Sequence, residues 1–183
     1  MPKKRAPRTL RIVERGPFPY DWLRAAEHRD PRVIQQSNPT SCTAACLQML
    51  LASNANQLTQ EELAQRYLHG SPAFIDSVLP TLLQLDPASN WTFTLFAQND
   101  SFRRLDRLTP WLAFLTLSNP SGIVTDLHAV IVQAATADDL LIFDPHRATA
   151  YSMQRDHFNA RFTGIAIFRS APRHRARRQS SPK

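Results

Sequence analysis

The sequence predicts an α+β domain in which helices come first and an antiparallel sheet follows. Three observations carry that prediction: a breaker-free run of small and apolar residues over 42–52, a capping box at Thr59-Gln60-Glu61-Glu62, and a change to strict alternation at Trp91. No internal repeat interrupts this order.

The elements follow from local chemistry. Pro17, Pro19, Pro31 and Pro39 punctuate an extended lead-in, with a short helix expected over 20–28. Thr40 or Ser41 supplies an N-cap, so a buried helix starts at about Cys42. The capping box opens a second helix, which Gly70 closes, and 72–86 reads as a third, interrupted at Pro80. Trp91, Phe93 and Leu95 alternate with Thr92, Thr94 and Phe96, the pattern of a half-buried strand. A short helix is expected over 100–107 and strands over 111–117, 127–134, 140–144 and 164–169, with a turn at Thr136-Ala137-Asp138-Asp139.

At 183 residues, 43% hydrophobic and 20% charged, the chain has the means to bury one core, which excludes general disorder. Gly16, Gly70, Gly122 and Gly164 are too scattered for a phosphate-cradling loop. No apolar run reaches the roughly 20 residues of a membrane helix, and the basic N-terminus has no apolar stretch behind it. A protein without a cleavable export signal is therefore expected, either cytoplasmic or delivered by a secretion system into a target cell.

The net charge of +7 is unevenly placed. Residues 1–15 carry six basic side chains against Glu14, and 169–183 carry six against no acid, so 16–168 sum to −4. Two basic arms flank a mildly acidic middle, and such arms suit solubility or attachment to an anionic partner. A nucleic-acid or partner-binding module gripping through its Arg-rich arms is the rival from a different class, although the acidic middle offers no basic groove.

Cys42 and Cys46 cannot form a disulfide framework and supply at most two zinc ligands, so neither a metal site nor a cofactor is expected. Cys42 falls in the first turn of its helix, where unpaired N–H groups and the dipole favour a thiolate. Cys46, one turn deeper between Ala45 and Leu47, reads as core. A nucleophilic cysteine needs a base, and His128 stands at the head of the apolar run Ala129-Val130-Ile131-Val132. A polar group there needs a partner, which Asp144 provides if the two strands form a hairpin whose loop has an odd number of residues. His28, His69 and His174 lie in polar settings, and His146 and His157 are weaker candidates. Gln36, six residues before Cys42, can fold its amide over the helix start as an oxyanion donor, with Gln35 the alternative.

Gln36, then Cys42 at a helix start, then His128 on a strand, then Asp144-Pro145 on the next, resembles the papain-like cysteine peptidase superfamily. Gln-x5-Cys-x2-Ala followed by His-x-Val and Asp-Pro is most similar to bacterial peptidases that process bacteriocin leaders and to papain-fold toxin and effector domains. Where the leader-processing enzymes carry an acidic residue before the cysteine and a glycine after it, this chain has Ser41 and Thr43. The resemblance covers 34–169, leaving 1–33 as a basic arm and lead-in and 170–183 as a basic disordered tail. It implies acyl transfer through a Cys42-His128-Asp144 triad, with Gln36 in the oxyanion hole. The implied partners are a protein or peptide substrate and, for a toxin or effector, a cognate immunity or inhibitor protein. A peptide amine as leaving group makes a protease, and ammonia from a glutamine side chain makes a deamidase.

Overall fold

The computed structural model describes residues 24–52, 58–68, 75–96, 102–118 and 123–170. Seven strands, β1 (Ala25–Arg29), β2 (Trp91–Leu95), β3 (Trp111–Ser118), β4 (Val124–Ala135), β5 (Asp139–Asp144), β6 (Thr149–Gln154) and β7 (Phe162–Arg169), form one sheet. Its order is β1-β6-β5-β4-β3-β7-β2, with every pair antiparallel. The helices are α1 (Cys42–Leu51), α2 (Gln60–Arg66), α3 (Ile75–Leu85) and α4 (Arg155–Asn159), with 3-10 segments at Phe102–Leu108 and His146–Ala148. The α+β architecture expected from the sequence is present.

Helix α1 is apolar on nearly all sides because it is enclosed, and only Gln48 and Met49 escape full burial. Its Leu47, Leu50 and Leu51 join Leu63 of α2 and Val78 and Leu82 of α3 against Leu112, Phe114, Ala129, Ile131 and Phe143 of the sheet. The opposite sheet face buries Trp111, Leu115, Val130, Val132, Ile142 and Tyr151 under Leu105 and Phe158. Trp111 meets Phe158 edge-on at 5.8 Å. With both faces covered, the central strands read as continuous apolar runs, as residues 111–115 of β3 do.

The capping box of α2 is formed. Thr59 Oγ1 accepts from the Glu62 N–H at 3.1 Å, and Glu62 Oε2 accepts from the Thr59 N–H at 2.9 Å. The helix ends at Arg66, and the expected stop at Gly70 lies outside the described residues. Helix α3 continues through Pro80 where an interruption was expected. Burial of Val78 and Leu82 on either side holds it in place, and the Thr81 hydroxyl donates to Ser77 O at 2.7 Å.

Three further expectations change. Residues 25–29 form a strand, not part of a helix, because β6 offers an open edge for backbone pairing. Ser41 is the N-cap of α1, but its hydroxyl turns back to Asn38 and leaves the helix N–H groups uncapped. In β2 Trp91 is buried, whereas Phe93 and Leu95 are 45% and 63% exposed because β2 is the outer edge of the sheet. The basic arms fall mostly outside the described residues. Arg169 belongs to the fold, with its guanidinium on Asp86 at 3.2 Å and on Leu50 O at 3.0 Å. Among the described residues no helix is long and apolar enough to cross a membrane.

Candidate active site

The site gathers where the head of α1 meets the β4-β5 hairpin. Cys42 is the first residue of α1, and packing of α1 on β4 sets its thiol against His128. The His128 ring is 3% exposed, and its Nε2 lies 2.7 Å from Asp144 Oδ1. A carboxylate only accepts, so Nε2 carries the proton and donates, leaving Nδ1 for the thiol. The structure therefore brings together three of the four residues singled out from the sequence in one hydrogen-bonded line.

The hairpin achieves this by a different route from the one expected. Thr136 and Asp139 close it, with Thr136 N–H donating to Asp139 O at 2.8 Å, so the tip is the two-residue Ala137-Asp138. An even tip pairs Ala135 with Leu140 and Ala134 with Leu141; continued unbroken, that register sets Asp144 opposite Ile131, on the face away from His128. A β-bulge between Val132 and Ala134 shifts the register by one, so that Ile131 pairs with Phe143. Asp144 then falls opposite Val130, diagonal to His128 on the same face.

The electrostatics follow from this geometry. Burial alone raises the Cys42 thiol, but the His128 hydrogen bond and charge, the Ala129 N–H and Thr43 together bring it below its ordinary 9.0. Burial likewise disfavours a charged His128, yet the Asp144 charge and hydrogen bond, with the thiol, hold its pKa up at about 10. Asp144 is completely buried, which opposes ionisation, and His128, Arg24 and the His146 N–H keep it below the ordinary carboxylate value. These shifts favour an imidazolium beside an ionised carboxylate and make the Cys42 thiolate easier to form than that of a free cysteine. Cys46 is raised well above 9.0 by burial and by the negative charges of Cys42 and Asp144.

Beside this line lies a cleft of about 370 Å³, walled by Gln36, Asn38, Leu117, Asp126, His128 and His146. Gln36 is placed by its own N–H, which donates to Pro145 O at 2.9 Å across the site. Its Nε2 donates to Asn38 O at 2.9 Å, and an amide NH2 has a second hydrogen to offer. Gln35 is exposed, and its carbonyl accepts from Gln60 Nε2 at 2.8 Å. His146 acts through its backbone, donating to Asp144 Oδ1 at 2.8 Å. His157 lies on α4, and His28 is an exposed residue of β1 bonded to Ala26 O. Among the described residues no group of three or more His, Cys, Asp or Glu is arranged to hold a metal ion.

Two residues of the site escaped sequence reasoning. Arg24 Nη2 donates to Asp144 Oδ2 at 3.1 Å, and the Tyr151 hydroxyl donates to the same oxygen at 3.3 Å. A buried carboxylate demands a counter-charge, but among 22 Lys and Arg nothing in the sequence marks Arg24 as the one.

The fold, helices packed on a seven-stranded antiparallel sheet, is one that solved peptidase domains share. Among solved structures, the chain shares it with a double glycine motif protease from an AMS/PCAT transporter determined with its leader peptide (TM-score 0.58, 19% identity, 76% of this chain and 91% of that one). It is also similar to a C39-like peptidase from Bacillus anthracis (0.59, 14%, 76% and 94%) and to the peptidase domain of Streptococcus ComA, a bifunctional ABC transporter of a quorum-sensing pathway (0.56, 14%, 76% and 98%). No family model and no curated protein matches the sequence.

Proposed function

We propose that the chain is a papain-like cysteine peptidase acting through Cys42, His128 and Asp144. The observation that carries this reading is the buried Cys42-His128-Asp144 line at a helix head and beside an open cleft. The likeness to peptidase domains, one of them determined with a leader peptide, supports a peptide as substrate.

In the proposed reaction the Cys42 thiolate attacks the scissile carbonyl carbon, forming the C–S bond while the carbonyl pair moves onto oxygen. The second Gln36 amide hydrogen and the Cys42 backbone N–H, unpaired at the helix start, receive that oxyanion. His128 passes its proton to the leaving nitrogen as the C–N bond breaks, giving a thioester and a neutral imidazole. Water then attacks the thioester, surrendering a proton to His128, and the thiolate departs to restore the ion pair. Asp144 remains ionised throughout and holds the ring in its productive tautomer.

The test is limiting alkylation of folded protein at neutral pH with peptide mapping, followed by turnover of a fluorogenic peptide library with ammonia release measured in parallel. Labelling of Cys42 ahead of Cys46, with peptide cleavage lost in the alkylated protein, is the expected result. Equal slow labelling of both thiols overturns the reading. Ammonia release without cleavage redirects the same site to glutamine deamidation.

A further inference from the structure

We infer that Arg24 is a positioning residue of this site: delivered by the edge strand β1, its guanidinium fixes the Asp144 carboxylate that orients His128. The inference rests on the reading of Cys42, His128 and Asp144 as the reacting set, and it adds to that set a residue from the segment preceding the cysteine.

Both Asp144 oxygens are occupied. Oδ1 accepts from His128 Nε2 at 2.7 Å and from the His146 N–H at 2.8 Å, and Oδ2 accepts from Arg24 Nη2 at 3.1 Å and from the Tyr151 hydroxyl at 3.3 Å. With donors on both oxygens, the carboxylate plane has no freedom to turn away from the imidazole. Arg24 is 8% exposed, and its guanidinium also lies over the Tyr151 ring at 4.5 Å from the centroid. Burial of that arginine is justified energetically only by a partner such as Asp144.

The edge strand is shaped to bring it there. Register against β6 shifts between Ala25, opposite Ser152, and His28, opposite Ala150. Within that bulge Ala26 takes a φ of 52°, in the left-handed region that alanine rarely enters. Local strain is thus retained two residues from the side chain in question.

The chemistry gives the contact a purpose. When His128 has surrendered its proton to the leaving group, a buried carboxylate beside a neutral ring would tend to recapture a proton itself. The Arg24 guanidinium, within hydrogen-bond reach of Oδ2, favours an ionised Asp144 through that half of the cycle. The other titratable or charged groups around the carboxylate are Cys42 and Cys46 of α1, His128 of β4, Tyr151 of β6, His146 and Arg147 of the 3-10 turn, and Glu27 of β1, whose Oε1 lies 3.6 Å from Arg24 Nη1.

The experiment compares wild type, Arg24→Gln, Arg24→Lys, Asp144→Asn and the double variant Asp144→Asn with Arg24→Gln, reading the pH profile of Cys42 alkylation and kcat on a cleaved peptide. Loss of a nearby positive charge favours every protonated form, so Arg24→Gln moves both limbs of the profile upward by about one unit. It also lowers kcat about tenfold or more, with Cys42 still labelled ahead of Cys46. Arg24→Lys returns the limbs toward their wild-type positions. In the Asp144→Asn background, Arg24→Gln causes no further loss, because its effect passes through that carboxylate. A folded Arg24→Gln protein with unchanged profile and kcat overturns the inference. Should that variant not fold, the Asp144→Asn pair decides, and a further loss on adding Arg24→Gln overturns it. Absence of selective Cys42 labelling in the wild type is a different failure, that of the underlying reading.

Discussion

Cys42 and Cys46 stand one turn apart on the same helix, 8% and 0% exposed, and their thiols are driven in opposite directions. Burial pushes both up. At the helix head Cys42 meets a protonated imidazole, a backbone N–H and Thr43, and ends below 9.0. Cys46 meets only apolar neighbours and the negative charges of its surroundings, and rises. Depth therefore does not decide which way a thiol shifts; what a thiolate finds within hydrogen-bond reach does.

The sharpest test of this contrast is removal of either partner of the proposed reactive pair. Cys42→Ala and His128→Ala should each reduce kcat by about 10⁴–10⁶-fold with the fold intact by circular dichroism, since members of such a unit fail together. His128→Ala should also erase the preference of alkylating reagents for Cys42 over Cys46. Asp144→Asn comes next, with a loss of about 10³–10⁴-fold, because the asparagine side chain can present an N–H to the ring and stabilise the wrong tautomer. Gln36→Ala should cost about 10²–10³-fold in kcat, and Gln35→Ala far less; the reverse order would show that the oxyanion donor is misassigned. Smallest is Cys46→Ala, expected to leave kcat within about twofold and to lower stability by about 1–2 kcal/mol in denaturant titration, the effect of trimming a packed side chain.

Titration sharpens the comparison from a second direction. Cys42 alkylation should rise at a pH below the ordinary thiol value of 9.0, and peptide turnover should decline as pH climbs through about 10, where His128 loses its proton. The same shifts act on stability. His128, raised by folding, stabilises fully below its ordinary 6.5 and loses that contribution as pH rises through about 10. Asp144, lowered by folding, stabilises above its ordinary 3.8 and loses its contribution as pH falls below that value. A stability profile flat at both ends would contradict the ion-paired arrangement.

Much of this architecture was written locally. The capping box of α2, the unbroken apolar run of α1 and the turn at Thr136 each depend on neighbours within a few residues, so their side chains announce the element. The head-of-helix position of Cys42 and the polar intrusion of His128 into an apolar strand were legible for the same reason. The alternation of β2 was legible as a strand but not as an edge, because exposure of Phe93 and Leu95 depends on what lies beside β2 in the folded sheet.

The sequence by itself determined which residues could carry charge or nucleophilicity and, for α1, α2 and β2 to β5, which segments would be helix or strand. Tertiary structure alone decided that they meet. Whether His128 and Asp144 share a face turns on a single bulge between Val132 and Ala134, and a one-residue slip costs little locally while inverting every side chain beyond it. Whether residues 25–29 coil or extend was settled by the open edge of β6, far away in sequence. The counter-ion of Asp144 comes from 120 residues upstream, since a buried charge selects its partner by proximity in the folded chain, which no local pattern records.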